Sequence, residues 1–285
     1  MNPHLDATVT IRGVRVPRFL YGTAWKEGET RRLTALAIER GFRGIDTANQ
    51  RKHYCEAEVG AGVADCIARG LVRREDLFLQ TKYTFQRGQD HRLPYDPAAP
   101  IARQVEQSVA SSLEHLGTAT VDSYVLHGPS QRPGLGKADR EAWQAMEAAC
   151  EAGRVRLLGV SNVSAEQLRA FCAAGRVRPA FVQNRCYASQ GWDRAVREVC
   201  REHDVAYQGF SLLTANGAAL GAERLRRIAE AHGRSPAQVV FRFALAVGMV
   251  PLTGTTDPSH MDEDLQALGF DLSADEVGAI ESLGG

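Results

Sequence analysis

Eight short apolar runs, rich in β-branched and aromatic residues, recur along this chain of 285 residues, with stretches of helical spacing between them. The strand-like runs cover residues 19–23, 42–46, 77–82, 123–127, 157–162, 180–184, 206–211 and 249–253. The helix-like stretches cover 30–39, 56–69, 101–116, 138–152, 165–173, 194–202, 222–231 and 236–246. Strands that alternate with helices form parallel sheets, because a parallel partner is reached only through a crossover long enough to hold a helix. Eight such units in this length predict an α/β fold of the (β/α)8 TIM-barrel type rather than an open doubly wound sheet.

Two segments stand outside the repeat. Residues 8–16 read as a β-hairpin turning at Gly13. Residues 274–283 read as a final helix, with Ser273 as its N-cap and Glu276 completing a capping box. Residues 86–100, rich in Gly, Pro and Asp, read as a long surface loop, and nothing in the chain reads as a linker, so residues 1–285 are expected to form one domain.

Charge and cysteine usage narrow the function. Lys+Arg and Asp+Glu both total 34, leaving no bulk charge to attract nucleic acid or an anionic membrane. No apolar run reaches the length of a membrane span, and residues 1–10 lack the basic-then-apolar pattern of a secretory signal, so a cytoplasmic location is expected. The six cysteines are widely spaced with no C-x-x-C, which fits reduced thiols and argues against a zinc site. His127 has no second histidine or carboxylate at ligand spacing, so no metal is expected. Phosphate-binding glycine motifs are lacking. Gly60-Ala61-Gly62 sits inside a helical pattern, and Gly134-Leu135-Gly136-Lys137 lacks the rest of a P-loop, so both read as turns or helix contacts.

In a barrel of this type the reacting groups gather at the C-terminal ends of the strands. Asp46, Lys82, His127, Ser161, Asn162, Gln183 and Asn184 are polar residues that end apolar runs there. Only four of the 34 basic residues are lysines, which marks Lys82 for a task that arginine cannot do. Together with Tyr54, just beyond the second strand, Asp46, Lys82 and His127 supply the parts that carbonyl reduction needs. A phenol gives a proton to the oxygen, an ammonium lowers the phenol's pKa, a carboxylate holds the ammonium, and an imidazole aligns the substrate.

Four ordered motifs make the chain resemble the aldo-keto reductase family: Gly-Phe-Arg-Gly-Ile-Asp-Thr-Ala at 41–48, Thr-Lys at 81–82, Val-Asp-Ser-Tyr-Val-Leu-His at 121–127, and Gly-Arg-Val-Arg-Leu-Leu-Gly-Val-Ser-Asn at 153–162. The resemblance runs from about Gly13 to Leu268. It implies a catalytic tetrad in which Tyr54 is the general acid, Lys82 tunes its pKa, Asp46 pairs with Lys82, and His127 orients the substrate. It also implies an NADP(H) cofactor, with NAD(H) as the second nucleotide the residues admit. Ser161, Asn162 and Gln183 would hold the nicotinamide carboxamide, Phe210 would stack on its ring, and Ser211 and Leu213 would touch the pyrophosphate. Thr23 and Asp46 would join them. Thr255, His260, Glu263 and Asp264 belong to the segment that grips the adenosine end, where a helix starting at Pro258 would offer its N-terminus to a phosphate. The implied partner is a small-molecule carbonyl compound, and the protein is expected to act as a monomer.

The chain also departs from the family pattern. Residues 49–53 lengthen the path from Asp46 to Tyr54. Gly128-Pro129 follows His127 where the family has Trp-Pro, and Tyr83-Thr84-Phe85 follows Lys82 where a tryptophan is expected. Little sequence follows the last helix. These differences predict a wide pocket that takes a bulky substrate. Gly254-Thr255 and His260 stand where relatives that prefer the phosphorylated nucleotide carry Lys-Ser and Arg. Two other readings of the same barrel remain at this stage: a cofactor-binding regulatory subunit, and an enzyme running non-redox dehydration or cyclisation.

Overall fold

The computed structural model describes residues 7–284. Residues 1–6 and 285, included above in the one-domain and no-signal readings, lie outside the described residues. Eight parallel strands close into a barrel, β3 (Leu20–Gly22), β4 (Gly44–Asp46), β5 (Phe78–Tyr83), β6 (Val121–Leu126), β7 (Val155–Ser161), β8 (Phe181–Arg185), β9 (Ala206–Phe210) and β10 (Met249–Thr253), with β10 pairing back onto β3. This is the (β/α)8 TIM barrel that the alternating pattern predicts.

Ahead of it, β1 (Thr8–Ile11) and β2 (Val14–Pro17) form the expected antiparallel hairpin. Its two turn residues, Arg12 and Gly13, both have positive φ, the requirement of a tight two-residue hairpin loop. β2 buries Val14 and Val16 against Leu20, Phe78, Leu157, Phe181, Val250 and Leu252, so the hairpin closes the barrel floor. Each large apolar side chain removed from water there contributes roughly 1.5–3 kcal/mol. The floor is an apolar plug, and polar groups that enter the barrel are left to the opposite end.

The helices are α1 (Thr30–Arg40), α2 (Glu56–Ala68), α3 (Ile101–His115), α4 (Lys137–Glu151), α5 (Ala165–Ala174), α6 (Arg194–His203), α7 (Gly217–Leu220), α8 (Glu223–His232), α9 (Pro236–Ala246), α10 (Pro258–Gln266) and α11 (Ala274–Glu281). Ser164, Ser235 and Ser273 cap α5, α9 and α11, each completing a capping box with Gln167, Gln238 or Glu276 three residues on. Gly60 and Gly62 do serve as helix contacts. A Cβ on Gly60 would lie 1.9 Å from the His115 carbonyl oxygen, and one on Gly62 would lie 2.6 Å from that of Arg31, so α2 packs hard against both neighbours.

Two readings shift. β6 and β7 begin two residues earlier than their apolar runs, because Asp122 and Arg156 are tied into the ends by an ion pair at 3.1 Å and the Leu79 amide donates to Asp122. The short α7 was not predicted; four residues are too few for a helical period to show. Residues 86–100 form the expected surface loop, anchored at one point. Tyr95 is buried and its hydroxyl donates to the Thr84 carbonyl at 2.7 Å, which pulls the loop against the end of β5. Among the described residues no helix is long and apolar enough to cross a membrane.

Candidate active site

At the C-terminal mouth of the barrel lies a cleft of about 880 Å³. Its base is a buried polar cluster. Asp46 ends β4 and Lys82 sits near the end of β5; they are 3% and 0% exposed. The Lys82 ammonium donates to Asp46 Oδ1 at 2.8 Å, to Asp46 Oδ2 at 2.7 Å and to the Thr47 carbonyl at 2.7 Å. Those three bonds use all its protons. Burial works to lower the Lys82 pKa, and the adjoining Asp46 carboxylate opposes that. Gln80 and Gln183 also donate to Asp46 Oδ1, at 2.7 and 3.0 Å, and Gln208 Oε1 accepts from both glutamines.

The lengthened loop after β4 returns Tyr54 to this cluster. The Gln50 carbonyl accepts from the amides of His53 and Tyr54 at 3.2 and 3.0 Å, a turn that absorbs the extra residues. The amides of Asn49 and Gln50 anchor it, donating to Ser108 and Ser112 and to Gly88. Lys82 Nζ lies 5.2 Å from the centre of the Tyr54 ring. The Tyr54 hydroxyl has no hydrogen-bond partner among the described residues. Burial, reinforced by the Asp46 carboxylate, pushes the Tyr54 phenol well above its ordinary value. Lys82 reaches the phenol only through space, since its protons are spent on Asp46 and Thr47.

His127 follows the end of β6, its ring centre 6.0 Å from that of Tyr54 in an edge-to-face arrangement. Its backbone is fixed on both sides, the amide donating to the Tyr83 carbonyl at 2.9 Å and the carbonyl accepting from Asn162 Nδ2 at 2.8 Å. Nδ1 lies 2.7 Å from Thr84 Oγ1. Burial and the nearby Lys82 charge drive its pKa down to about 3, so the ring is neutral.

Ser161, Asn162 and Gln183 converge at the ends of β7 and β8. Ser161 donates to the Gln183 carbonyl at 2.6 Å, and Asn162 Nδ2 to Ser161 Oγ at 3.0 Å. Asn162 and Ser211 both have φ of 57°, conformations that persist only where surroundings impose them. Asn162 Oδ1 and Gln183 Oε1 have no donor among the described residues, which leaves two acceptors for the NH2 group of a carboxamide. Phe210 ends β9, with the Arg185 guanidinium 5.6 Å from its ring centre. Phe210, Ser211, Leu213, Thr255, His260, Glu263 and Asp264 all line the same cleft. Burial raises the Asp264 carboxyl to about 6.

Two sequence assignments change here. Thr23 does not line the cleft; it is wholly buried and its hydroxyl donates to the Asp46 carbonyl at 3.0 Å. The N-terminus of α10 is not open to a phosphate, because the Asp257 carboxylate accepts from the amides of Ser259 and His260 at 2.7 and 3.4 Å. Trp25, Lys26, His53 and Arg185 line the cleft and were missed. Lys26 and Arg185 stand at or just past strand ends and answer to the same positional rule as Asp46. Trp25 and His53 lie on loops and stack with ring centres 3.8 Å apart, a contact with no sequence periodicity to announce it.

A (β/α)8 barrel with a buried acid–lysine pair under a tyrosine and a neutral histidine is a class of enzyme scaffold, and comparison with known proteins places it. The sequence model of the Aldo/keto reductase family matches residues 21–284, and the chain belongs to that family. Deoxymugineic acid synthase 1 of rice is 31% identical over 288 residues, covering 93% of this chain and 85% of that protein. A probable NAD(P)H-dependent D-xylose reductase of Emericella nidulans is 32% identical over 281 residues, covering 87% and 83%. The crystal structure of the Bombyx mori aldo-keto reductase in complex with NADP superposes with a TM-score of 0.82 at 25% identity, covering 97% of this chain and 92% of that one.

Proposed function

We propose that this protein reduces an aldehyde or ketone to an alcohol with NADP(H), NAD(H) being the alternative nucleotide, and that Tyr54 is the proton donor. One observation carries the reading. The Tyr54 hydroxyl has no hydrogen-bond partner among the described residues and opens on a cleft beside a neutral His127, above a buried Asp46–Lys82 pair. The silkworm neighbour's NADP and the xylose reductase's name support the cofactor. The residues fit it. Asn162 Oδ1 and Gln183 Oε1 would receive the carboxamide, with Ser161 beside them. Phe210 offers a ring for stacking, Ser211 and Leu213 would hold the pyrophosphate, and Thr255, His260, Glu263 and Asp264 would hold the adenosine end. Bound there, the dihydronicotinamide supplies the hydride.

The chain's own groups manage the proton. His127 directs the carbonyl oxygen toward Tyr54, which releases its proton from Oη to that oxygen as negative charge develops on it. The phenolate left behind is eased by the Lys82 ammonium 5.2 Å from the ring centre and regains a proton through the open cleft. A phenol held well above its ordinary pKa is protonated at rest, which suits the reductive direction. Trp25, exposed and packed at a tilt against His53, gives the mouth an aromatic wall for a bulky substrate. The six unpaired thiols suit a reducing compartment such as the cytosol. The test is to supply NADPH with a panel of aldehydes and ketones and follow nicotinamide absorbance together with alcohol formation. Product formed without an absorbance change would replace this reading with a non-redox reaction, and no turnover of any carbonyl would leave a cofactor-binding regulator.

A further inference from the structure

His127 presents two ring nitrogens, and only one has a partner. Nδ1 faces Thr84 Oγ1 at 2.7 Å, while Nε2 makes no hydrogen bond among the described residues and is not among the buried unpaired atoms, so it opens on the cleft that His127 lines. Thr84 follows β5 directly. Side chains alternate along an extended chain, so Thr84 returns to the side of Lys82, two residues earlier, while Tyr83 turns outward to Gln104 on α3. One strand end thus places the ammonium under Tyr54 and the hydroxyl against His127.

The Thr84 hydroxyl has no other hydrogen-bond partner among the described residues. Its side chain is buried and its backbone is held, the Thr84 carbonyl accepting from Tyr95 Oη at 2.7 Å. With Nδ1 carrying the hydrogen, the ring would donate to Thr84 and the hydroxyl proton would be left in a buried site with no acceptor. With Nδ1 as the lone-pair nitrogen, the hydroxyl donates to it and both groups are satisfied. A neutral imidazole has one hydrogen, so it then sits on Nε2, facing the cleft.

We propose that Thr84 is a positioning residue that fixes the single proton of His127 on Nε2 and turns that N–H toward the carbonyl oxygen of the substrate. The inference rests on the reading of His127 as the group that orients the substrate. Thr84 itself touches no reacting atom. Its hydroxyl makes His127 a donor rather than an acceptor at the point where oxygen gains negative charge, and an acceptor there would repel the oxygen.

The experiment combines 15N–1H correlation spectra of the histidine rings in the full chain with steady-state kinetics and NADPH titration. It uses wild type, Thr84→Ser and Thr84→Val, with the His127 signal assigned by its loss in His127→Asn. The expected result is an Nε2–H tautomer for His127 in wild type and Thr84→Ser. In Thr84→Val the ring shifts should move toward a mixture of tautomers. kcat should fall about tenfold, the scale seen when the partner of a functional histidine is removed, with NADPH affinity unchanged and activity retained in Thr84→Ser. An Nδ1–H tautomer in wild type would overturn the proposal, as would a Thr84→Val protein with unaltered shifts and kcat. If Thr84→Val does not fold, the wild-type tautomer decides alone. If wild type turns over no carbonyl, the reductase reading fails while the spectra still report which nitrogen holds the proton.

Discussion

Lys82 gives its ammonium protons to both carboxylate oxygens of Asp46, at 2.8 and 2.7 Å, and keeps none for Tyr54. The pair is buried, and the glutamines that crowd Asp46 Oδ1 enclose the carboxylate further. Lys82 therefore acts on Tyr54 through space, as a neighbouring charge under the ring. It is also structural, since it answers a carboxylate that is 3% exposed.

Removing Lys82 exposes both roles. Lys82→Met leaves Asp46 buried and uncompensated, which costs about 3–5 kcal/mol in proteins where one partner of a buried pair is removed. The variant should lose both activity and thermal stability. Adding Asp46→Asn to it should recover most of the stability and none of the activity. Thermal unfolding of the single and double variants checks this, and additive losses would show that the two side chains do not act as a pair.

Tyr54→Phe should lower kcat by about two to four orders of magnitude, the range for removing a general acid, with NADPH affinity nearly unchanged. Because burial holds the Tyr54 phenol well above 10, its ordinary value, the acid form persists as pH rises through that value and the wild-type rate should not decline there on its account. A rate that falls with an apparent pKa below 10 and loses that step in Tyr54→Phe would confirm the acid but overturn its raised pKa, whereas a Tyr54→Phe protein with wild-type kcat would refute the assignment itself.

How much of this was legible in the sequence follows from where each residue sits. Asp46, Lys82, Ser161 and Gln183 lie on strands whose apolar runs fix direction and end, so the barrel rule located them. Asp122 and Arg156 hid the true starts of β6 and β7, because a charged residue reads as the end of a strand until its partner is seen. The stack of Trp25 on His53 joins two loops, and no period in either segment encodes it. Thr23 was assigned by likeness alone, and likeness does not tell which way a side chain turns at a strand end. The link between Thr84 and His127 was half visible. Spacing from Lys82 puts Thr84 on the inner side, but only the fold brings the loop after β6 beside it.

His127 should make the fold sensitive to acid. Its native pKa is depressed to about 3, against about 6.5 in an unfolded chain. Below 6.5 the unfolded state binds a proton that the native state refuses, so the stability contributed by the neutral ring is complete above 6.5 and is lost as pH falls toward 3. His127→Asn should flatten the pH dependence of unfolding in that window. An identical slope in wild type and variant would mean the ring takes up its proton in the native state as freely as in the unfolded one.

Trp25 is 69% exposed at the mouth of the cleft. Trp25→Ala should raise KM for bulky apolar carbonyls several-fold and leave kcat and small aldehydes nearly unchanged, since it removes binding that ground state and transition state share. Equal effects on small and bulky substrates would show that the tryptophan supports the loop rather than the substrate.

Asp257 caps α10 and places a carboxylate where the adenosine end of the cofactor is proposed to lie. Its hydrogen bonds to the Ser259 and His260 amides hold its pKa below the usual carboxylate range, so it is negative at neutral pH. A 2′-phosphate brought to this helix end meets that charge and finds the first amides taken, and the cation in this part of the cleft is the Lys26 ammonium, which donates to the Gly254 carbonyl. Asp257→Ser keeps a capping oxygen and removes the charge. It should tighten NADPH binding by up to about tenfold and change NADH binding little. His260→Arg should act in the same direction by adding a forked, permanent cation. Dissociation constants for both nucleotides with wild type and the two variants decide the matter. If both nucleotides respond alike, the negative charge at the start of α10 is not what reads the phosphate.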